Sequence, residues 1–291
     1  MIVPFAAGGP NDGIARIMAE RMRVLLGQPV MIENVDGAAG SIGTRRAARA
    51  APDGYTISIG YWGSHVANAA IYALDYDVVK DFEPISLLVE SPLLIAASKA
   101  TPVSDLREFV NWLRANPDKA SAAVPGSASH VASVFFQRET GTRFHLVPYR
   151  GAGPAIQDLA QGRVDMALLA AGAPLPHVRS GAFKAFAVSA KRRLAAAPDI
   201  PTVAEAGLPN LDATAWFGFW APARTPKDII ARLNAATVET LADPSVRARL
   251  ADLALEIFPR ERQTPAALAD LQKAEIEKWW PIIRAANIKP E

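Results

Sequence analysis

The fold is decided first by the run IVPFAAGGPND at residues 2–12, in which an apolar strand leads into a loop of small residues and then a helix. The first N–H groups of a helix have no intrahelical partner, and the macrodipole adds about half a positive charge there. Glycine and alanine leave such amides uncovered, so the run predicts a place where a small anion can bind. An ordinary strand–turn–helix connection is the alternative interpretation. The helix itself is predicted by apolar residues that recur along one face: Ile14, Ile17, Met18, Met22 and Leu25.

Size and composition are those of a globular protein with a sizeable core. The 291 residues suffice for one large domain or two of ordinary size, half of them are apolar, and 21% are charged. The net charge of +2 is too small to indicate nucleic acid or an anionic membrane surface as a partner. No apolar run approaches the ~20 residues that a membrane span needs. The absence of cysteine excludes disulfides, thiolate metal sites and cysteine nucleophiles.

The order of elements predicts an α/β architecture with two lobes. Strand-like and helix-like segments alternate along most of the chain, with a strand expected at 30–33 and a last helix that Pro281 should kink near Glu277. Turns near 97–104 and 221–226 resemble crossings between domains. We therefore predict a discontinuous lobe 1 at 1–99 and 222–291, and an inserted lobe 2 at 100–221. Proteins of this organisation bind ligands in the cleft and close about the crossing strands.

Motifs of catalysis and of cofactor binding are missing from the sequence. The glycines at 37–43 and 151–153 have the wrong spacing for a dinucleotide fingerprint, neither run continues into a P-loop, and no GxSxG elbow occurs. The four histidines show no paired metal-ligand spacing: His65, His130, His145 and His177. We therefore predict no catalytic residues, no metal and no cofactor, and the enzyme hypothesis starts weak.

Short motifs in a fixed order run through nearly the whole chain, and together they resemble one family. That family is the extracytoplasmic solute receptors of tripartite tricarboxylate transporters, the Bug or TctC-like proteins. The motifs are VPFAAGGPND (3–12), LGQPV (26–30), EN (33–34), GAAGSIG (37–43), APDGYT (51–56), DY (75–76), KDF (80–82), VPYRG (147–151), GRVD (162–165), PDIPTVAEAG (198–207) and AWFG (215–218).

The resemblance implies a type II periplasmic-binding-protein fold, with two α/β lobes and a ligand cleft between them. It implies that a carboxylated solute is captured and delivered to the membrane permease subunits of a tripartite transporter in a Gram-negative bacterium. Met1 is followed at once by a core strand, which fits a chain whose signal peptide has been removed. We expect a periplasmic protein that acts as a monomer.

In lobe 1 of such a fold, a carboxylate would lie against the opening loop and the first amides of its helix. The expected ligand-binding residues there are Phe5, Ala7, Gly8, Gly9, Pro10, Asn11 and Asp12. Because Asp12 cannot attract an anion, we expect its carboxylate to hold the loop through nearby amides. A wall of Trp62, Ser64 and His65 is expected beside it. Alternatively, Ser64 could cap a helix, and His65 could support the ligand-binding residues without touching the ligand. Trp216 and Phe217 would pack over an apolar ligand body, with core packing as the alternative.

In lobe 2 the expected contacts are Ser127, Ser129 and His130 at a second helix start, and Tyr149 and Gly151 on a loop that should face the cleft. Seryl hydroxyls can donate to a carboxylate, but either serine could merely cap its own helix. Arg150 is expected at a solvated rim. Ala170 and Ala171 are also expected at the ligand. The stretch 168–171 to which they belong is apolar where many members of the family have an Asp-Asn pair, which removes a partner for an amino group. The segment 120–129 is also shorter than the family's usual loop.

A solute-binding protein for an amine-free mono- or dicarboxylate is therefore the first hypothesis. The alternative is a binding module of the same fold that reports solute occupancy to a signalling partner instead of a permease. An α/β enzyme is the third class, and it lacks converging acid, base and nucleophile groups. Ligand-dependent stabilisation without turnover would separate the binding readings from the enzyme.

Overall fold

The computed structural model describes residues 1–149, 151–211 and 213–288. The chain forms two compact units. Unit 1 contains Met1–Glu90, Trp216–Ala251 and the residues from Glu256 onward, and unit 2 contains Ser91–Ala215 and Asp252–Leu255. The crossings between units lie earlier than the predicted ends at 99/100 and 221/222. The strand at Leu93–Ser98 pairs with strands of unit 2, and the strand at Ala215–Pro222 pairs with Ser58–Tyr61 of unit 1.

Unit 1 is built on a six-stranded sheet whose order is β11-β4-β10-β3-β1-β2. Strand β1 pairs in parallel with β2 and β3, and β10 pairs antiparallel with β3. Strand β2 is confined to two residues near the strand expected at 30–33, and Met31 before it is 75% exposed. The strands are β1 Ile2–Val3, β2 Glu33–Asn34, β3 Ser58–Tyr61, β4 Phe82–Ser91, β10 Ala215–Pro222 and β11 Glu256–Ile257.

The helices of unit 1 follow these strands. A π-helical turn at Gly63–Ala67 precedes α3. The apolar face predicted for the first helix is buried as far as Met22, and Leu25 on its last turn is 37% exposed. The helices are α1 Pro10–Leu26, α2 Ser41–Ala48, α3 Asn68–Ile71, α8 Lys227–Ala242, α9 Pro244–Asp252 and α10 Pro265–Ala285.

Helix α10 continues through Pro281 to Ala285, so the proline does not end it, and the kink expected near Glu277 stays a prediction. Proline removes one backbone donor from the helix interior. Trp279 and Ile283 on either side are almost completely buried, and this packing holds the helix across the missing bond. Among the described residues, no helix has both the length and the apolar character that a membrane crossing requires.

Unit 2 is built on a five-stranded sheet of order β7-β6-β8-β5-β9. Strand β6 lies parallel to β7 and β8, whereas β5 is antiparallel to β8 and β9. The strands are β5 Leu93–Ser98, β6 Ser121–Val124, β7 His145–Pro148, β8 Met166–Ala170 and β9 Phe183–Val188. The helices are α4 Leu106–Ala115, α5 Ser127–Thr140, α6 Ala152–Ala160 and α7 Leu175–Arg179.

The short segment 252–255 contributes to the core of unit 2. Ala254 has a left-handed backbone with φ +53° and is buried in the same cluster as Ala171 and Leu175. A β-carbon on Gly172 would lie 2.3 Å from the carbonyl oxygen of Leu253. Backbone therefore packs on backbone here, and only glycine leaves the necessary space.

Candidate functional site

In unit 1, the loops that follow β1, β2 and β3 leave the same edge of the sheet, because these three strands are parallel. In open α/β sheets, ligands bind outside the carboxyl ends of the strands. The loops at this edge are 4–9 before α1, 35–40 before α2, and the π-helical turn after β3. The opening run of the sequence therefore lies at the edge where ligands of such sheets bind.

Asp12 fixes the loop from inside the helix. Its Oδ2 accepts hydrogen bonds from the backbone N–H of Gly8 at 2.9 Å and from Nε of Arg16 at 2.9 Å. Its Oδ1 accepts from Nδ2 of Asn34 at 3.0 Å, and the same Nδ2 donates to the carbonyl oxygen of Phe5 at 3.0 Å. The loop between Phe5 and Gly8 is thus held by one buried carboxylate, directly at Gly8 and through Asn34 at Phe5.

These contacts keep the carboxylate ionised. The hydrogen bond from Arg16 is the main cause that lowers the pKa of Asp12 to about 2, and the donors on Gly8 and Asn34 act in the same direction. Burial opposes them, since Asp12 is only 4% exposed. The negative charge consequently serves to hold the loop.

The helix start itself is open. Gly9 is the N-cap and offers no side-chain cap, while Ala7, Gly8 and Pro10 are exposed. Proline has no N–H, so the first amides that lack an intrahelical partner are those of Asn11 and Asp12. The N–H of Gly8 is already bound to Asp12. An anion at this place would therefore be held by the helix amides and by the loop that Asp12 sets.

Aromatic rings line the inner side of the loop. The ring of Phe5 meets Tyr61 edge-on at 5.3 Å, and Tyr61 stacks on Phe217 at 6.0 Å. Phe217 and Trp216 are both almost fully buried, and Trp216 lies 6.1 Å from Trp220. Their position is that of the core-packing alternative, since neither ring offers an open face for an apolar ligand body.

The expected wall of Trp62, Ser64 and His65 is also buried, so the prediction of direct solute contact is corrected here. Trp62 packs edge-on against Trp279 at 5.3 Å. The hydroxyl of Ser64 accepts from the N–H of Tyr61 at 3.1 Å and lies 3.2 Å from the carbonyl oxygen of the same residue. The π-helical turn after β3 is buried in the core of unit 1, and these side chains stabilise it by packing and hydrogen bonding there.

His65 is held in an apolar stack. Its ring lies 3.8 Å from that of Trp220, and Nδ1 lies 3.0 Å from the hydroxyl of Ser64. Nε2 has no hydrogen-bond partner among the described residues. Loss of solvation lowers the pKa of His65 to about 3, so the ring is neutral at ordinary pH. A neutral, enclosed imidazole carries no positive charge with which to attract a carboxylate.

In unit 2, two helix starts share the carboxyl edge of the parallel strands. Val124 at the end of β6 pairs with Pro148 at the end of β7. Helix α5 then begins after Gly126 (φ +123°), and α6 after Gly151 (φ +94°). Neither N-cap has a side-chain hydrogen bond, and the space around both glycines is open. The predicted residues Ser127 and Gly151 are therefore brought to one edge.

The two serines of α5 differ in what they can donate. The hydroxyl of Ser129 donates to the carbonyl oxygen of Leu168 at 2.6 Å. Its single proton is used, so the expected role as a donor to a carboxylate is corrected. Ser127 makes no side-chain hydrogen bond within the part of the chain that the structure describes, and neither serine is the N-cap. His130 is half-buried, and its backbone N–H donates to the carbonyl oxygen of Gly126.

Tyr149 is likewise engaged within unit 2. Its hydroxyl donates to Asp158 on α6 at 2.7 Å, and burial together with this carboxylate raises the pKa of Tyr149 to about 12. Its proton is not available to a ligand in this arrangement. Arg150, expected at a rim, lies outside the described residues. Ala171 is in the core of unit 2, whereas Ala170 is half-buried at the end of β8.

Sequence reasoning gave no role at the site to the two side chains that bond Asp12, which are Arg16 and Asn34. A buried carboxylate requires donors, and Asn34 at the end of the neighbouring parallel strand is the one signal that could have identified them. In the described part of the chain, no group of three or more histidine, aspartate or glutamate side chains could hold a metal ion.

The fold and these strand-edge loops define an α/β solute-binding protein of the periplasmic-binding-protein class. Residues 14–288 match the model of a family described as the tripartite tricarboxylate transporter family receptor, TctC, and the chain belongs to this family.

Three solved structures resemble the chain closely. MatC from Rhodopseudomonas palustris with bound malate is 40% identical, with 97% of each chain covered and a TM-score of 0.86. The periplasmic binding protein BugD is 35% identical over 100% of this chain and 98% of its own, with a TM-score of 0.86. A second R. palustris protein, solved with adipate, is 31% identical over 100% and 97%, with a TM-score of 0.88.

Proposed function

We propose that this chain is a periplasmic binding protein without enzymatic activity that captures a small amine-free carboxylate, a mono- or dicarboxylate, and delivers it as a monomer to the permease of a tripartite transporter. The observation that carries the proposal is the α1 start. There the Asp12 carboxylate holds a loop of exposed small residues beside the uncapped helix amides. Such a terminus binds anions without a formal countercharge.

The nature of the solute follows from what the site lacks. Ala170 and Ala171 at the end of β8 carry no acid, and the carboxylate of Asp12 is already neutralised by Arg16. A cationic amine would therefore lose its hydration without gaining a partner. The two relatives described above were solved with malate and adipate, which are dicarboxylates without an amine.

A matched pair of ligands tests this proposal. Malate and aspartate differ at one carbon, where malate has a hydroxyl and aspartate an ammonium group. Calorimetric titration should detect malate, adipate or succinate, with aspartate and glutamate at least tenfold weaker. At about 100 times the dissociation constant, the ligand should stabilise the protein by about 2.7 kcal/mol. Equal affinity for malate and aspartate would refute the amine-free site.

The opening loop is tested by Gly9→Val. Gly9 has φ −80°, and a β-carbon there would lie 3.5 Å from the nearest atom, the carbonyl oxygen of Ala6, so the backbone tolerates a side chain. The added methyl groups would cover the helix amides and abolish carboxylate binding, while the poorer N-cap lowers the melting temperature by only a few degrees. Ala231→Val, on the exposed face of α8, adds a side chain of the same final size away from the loop and should bind normally. Normal binding by Gly9→Val would show that the anion lies elsewhere.

Delivery is tested by uptake of labelled malate into cells that carry the cognate permease genes. Uptake should require both the permease and this chain, and Gly9→Val should fail to support it. Unchanged uptake without the chain, accompanied by a loss of malate-dependent gene expression, would instead support the signalling alternative.

A further inference from the structure

The turn between β2 and α2 has an unusual backbone. All of Gly37–Gly40 have positive φ, with values of +127°, +46°, +51° and +89°. Two of these residues, Ala38 and Ala39, are alanines, which rarely adopt this conformation because the β-carbon crowds the following carbonyl. Such residues persist only where their surroundings hold them in place.

Three side chains bond the backbone of this turn. Oδ1 of Asp36 accepts from the N–H of Gly37 at 2.8 Å, the hydroxyl of Thr44 donates to the carbonyl oxygen of Gly40 at 2.9 Å, and Asn68 bonds a strained alanine between them. Its Nδ2 donates to the carbonyl oxygen of Ala39 at 2.9 Å and to the hydroxyl of Ser41 at 3.2 Å. Asn68 is completely buried and begins α3, directly after the π-helical turn. Its amide therefore bonds the carbonyl of one left-handed alanine from a fixed position in the core.

The turn and the helix after it touch the segment that leads into the opening loop at two points. A β-carbon on Gly40 would lie 2.5 Å from Cζ of Phe5, so the ring of Phe5 rests directly on this glycine. A β-carbon on Gly43 would lie 2.6 Å from Cα of Pro4. The conformation of the turn thus determines the surface on which Pro4 and Phe5 lie.

We propose that Asn68 is a positioning residue for the carboxylate site: by bonding Ala39 in its left-handed conformation, it fixes the turn Gly37–Gly40 on which the ring of Phe5 rests, and with it the loop 5–9. The inference rests on the proposed function to the extent that this loop binds the carboxylate. If Asn68 is removed, the turn populates other conformations, and the apparent affinity falls by the fraction of molecules whose loop remains competent.

The test compares Asn68→Ala with Asn234→Ala. Asn234 is a matched control, because its Nδ2 also donates two hydrogen bonds in unit 1, to the carbonyl oxygens of Ile85 and Gln263, away from the loop. Each variant is titrated with malate, and hydrogen exchange of the peptide at residues 5–12 is followed without ligand. The double variant Ala38→Gly/Ala39→Gly is combined with Asn68→Ala, because glycine adopts the left-handed conformation freely.

Asn68→Ala should weaken malate binding roughly tenfold or more, the effect of leaving a buried acceptor unpaired, and should speed exchange at 5–12 to a similar degree. Asn234→Ala should lose comparable stability, with malate affinity and exchange at 5–12 within about twofold of the parent. In the background of the double glycine variant, the loss caused by Asn68→Ala should shrink to about threefold or less. A residue that merely supports α3 would not be rescued by glycines in a different element.

Unchanged exchange at 5–12 in Asn68→Ala would overturn the proposal, as would a loss that the glycine pair does not reduce. If the parent protein binds no malate, adipate or succinate, the proposed function fails, and the exchange measurement alone still decides the role of Asn68. If Asn68→Ala does not fold, Gly40→Ala is the second variant, because its new methyl group would displace the ring of Phe5 from the turn. It should accelerate exchange at 5–12, and its failure to do so would overturn the inference.

Discussion

The isosteric substitution Asp12→Asn tests whether one carboxylate fixes the opening loop. In the parent, the pKa of Asp12 is about 2, against an ordinary value of about 3.9. At about 1.4 kcal/mol per pKa unit, this difference corresponds to about 2.6 kcal/mol of stability. The side chain of Arg16 is 54% exposed, and solvent screening reduces the expected value to about 1–2 kcal/mol.

The sign of the pH dependence follows from the lowered pKa. A carboxylate with a depressed folded-state pKa stabilises the protein above its unfolded pKa, and this contribution is lost as the pH falls through the folded pKa. The contribution of Asp12 is therefore complete at pH 7 and on the order of half gone near pH 3. Urea unfolding of the parent and of Asp12→Asn at pH 7, 4 and 3 measures this, with a midpoint difference of about 0.5 M at pH 7.

The comparison uses the difference between the two proteins, because every other carboxylate also titrates in this range. A stability difference that stays constant from pH 7 to pH 3 would refute the assignment, since a neutral contact has no such dependence. Arg16→Gln is the partner control. It should lose most of the same stabilisation, and Asp12→Asn should then cost little in its background.

Three further predictions follow from groups described above. His65→Gln should make the free energy of unfolding less sensitive to acid. Because the buried histidine of the parent stays neutral while the unfolded chain binds a proton, the parent loses up to about 2.7 kcal/mol of stability between pH 6.5 and 4.5, which urea unfolding measures. Gly43→Ala, whose new methyl group would meet the backbone of Pro4, should cost about 1–3 kcal/mol in thermal or urea unfolding. Tyr149→Phe should lose about 1 kcal/mol with its bond to Asp158 and leave malate affinity within about twofold by calorimetry.

Each of these has a control and a contrary result. The parent and His65→Gln should show the same pH dependence above pH 7, and identical slopes below pH 6.5 would show that the histidine is not buried neutral. Gly153→Ala places its methyl group in open space and should leave the free energy of unfolding nearly unchanged. Equal losses of stability in Gly43→Ala and Gly153→Ala would contradict the packing argument. A tenfold weaker malate affinity in Tyr149→Phe would show that the hydroxyl of Tyr149 contacts the ligand.

The sequence predicts the α/β class and the opening loop because both depend on local patterns. The apolar period after residue 12 and the small residues before it are visible without tertiary structure. Burial of particular side chains is not visible in this way. Ser64 and His65 are polar and suited to a site, but a π-helical turn directs both inward.

The hydrogen-bond partners were unpredictable for the same reason. The hydroxyl of Ser129 donates a hydrogen bond to the carbonyl oxygen of Leu168, 39 residues distant in sequence, and Asn34 donates to the carbonyl oxygen of Phe5 from a neighbouring strand. These pairings depend on strand order, which the alternation of elements does not specify. The core-packing alternative for Trp216 and Phe217 could likewise be chosen only once β10 was known to lie inside the sheet.

The segment 252–255 affects when unit 2 can fold during synthesis of the chain. Because Ala254 fills part of the core of unit 2, a fragment limited to residues 91–215 would retain a hole there and leave Gly172 uncovered. Unit 2 therefore cannot complete its core until Leu255 has been synthesised, long after its last strand at 183–188. We expect the fragment to be loosely packed, and unit 2 to reach its native packing only after residues 252–255 have been added to the growing chain.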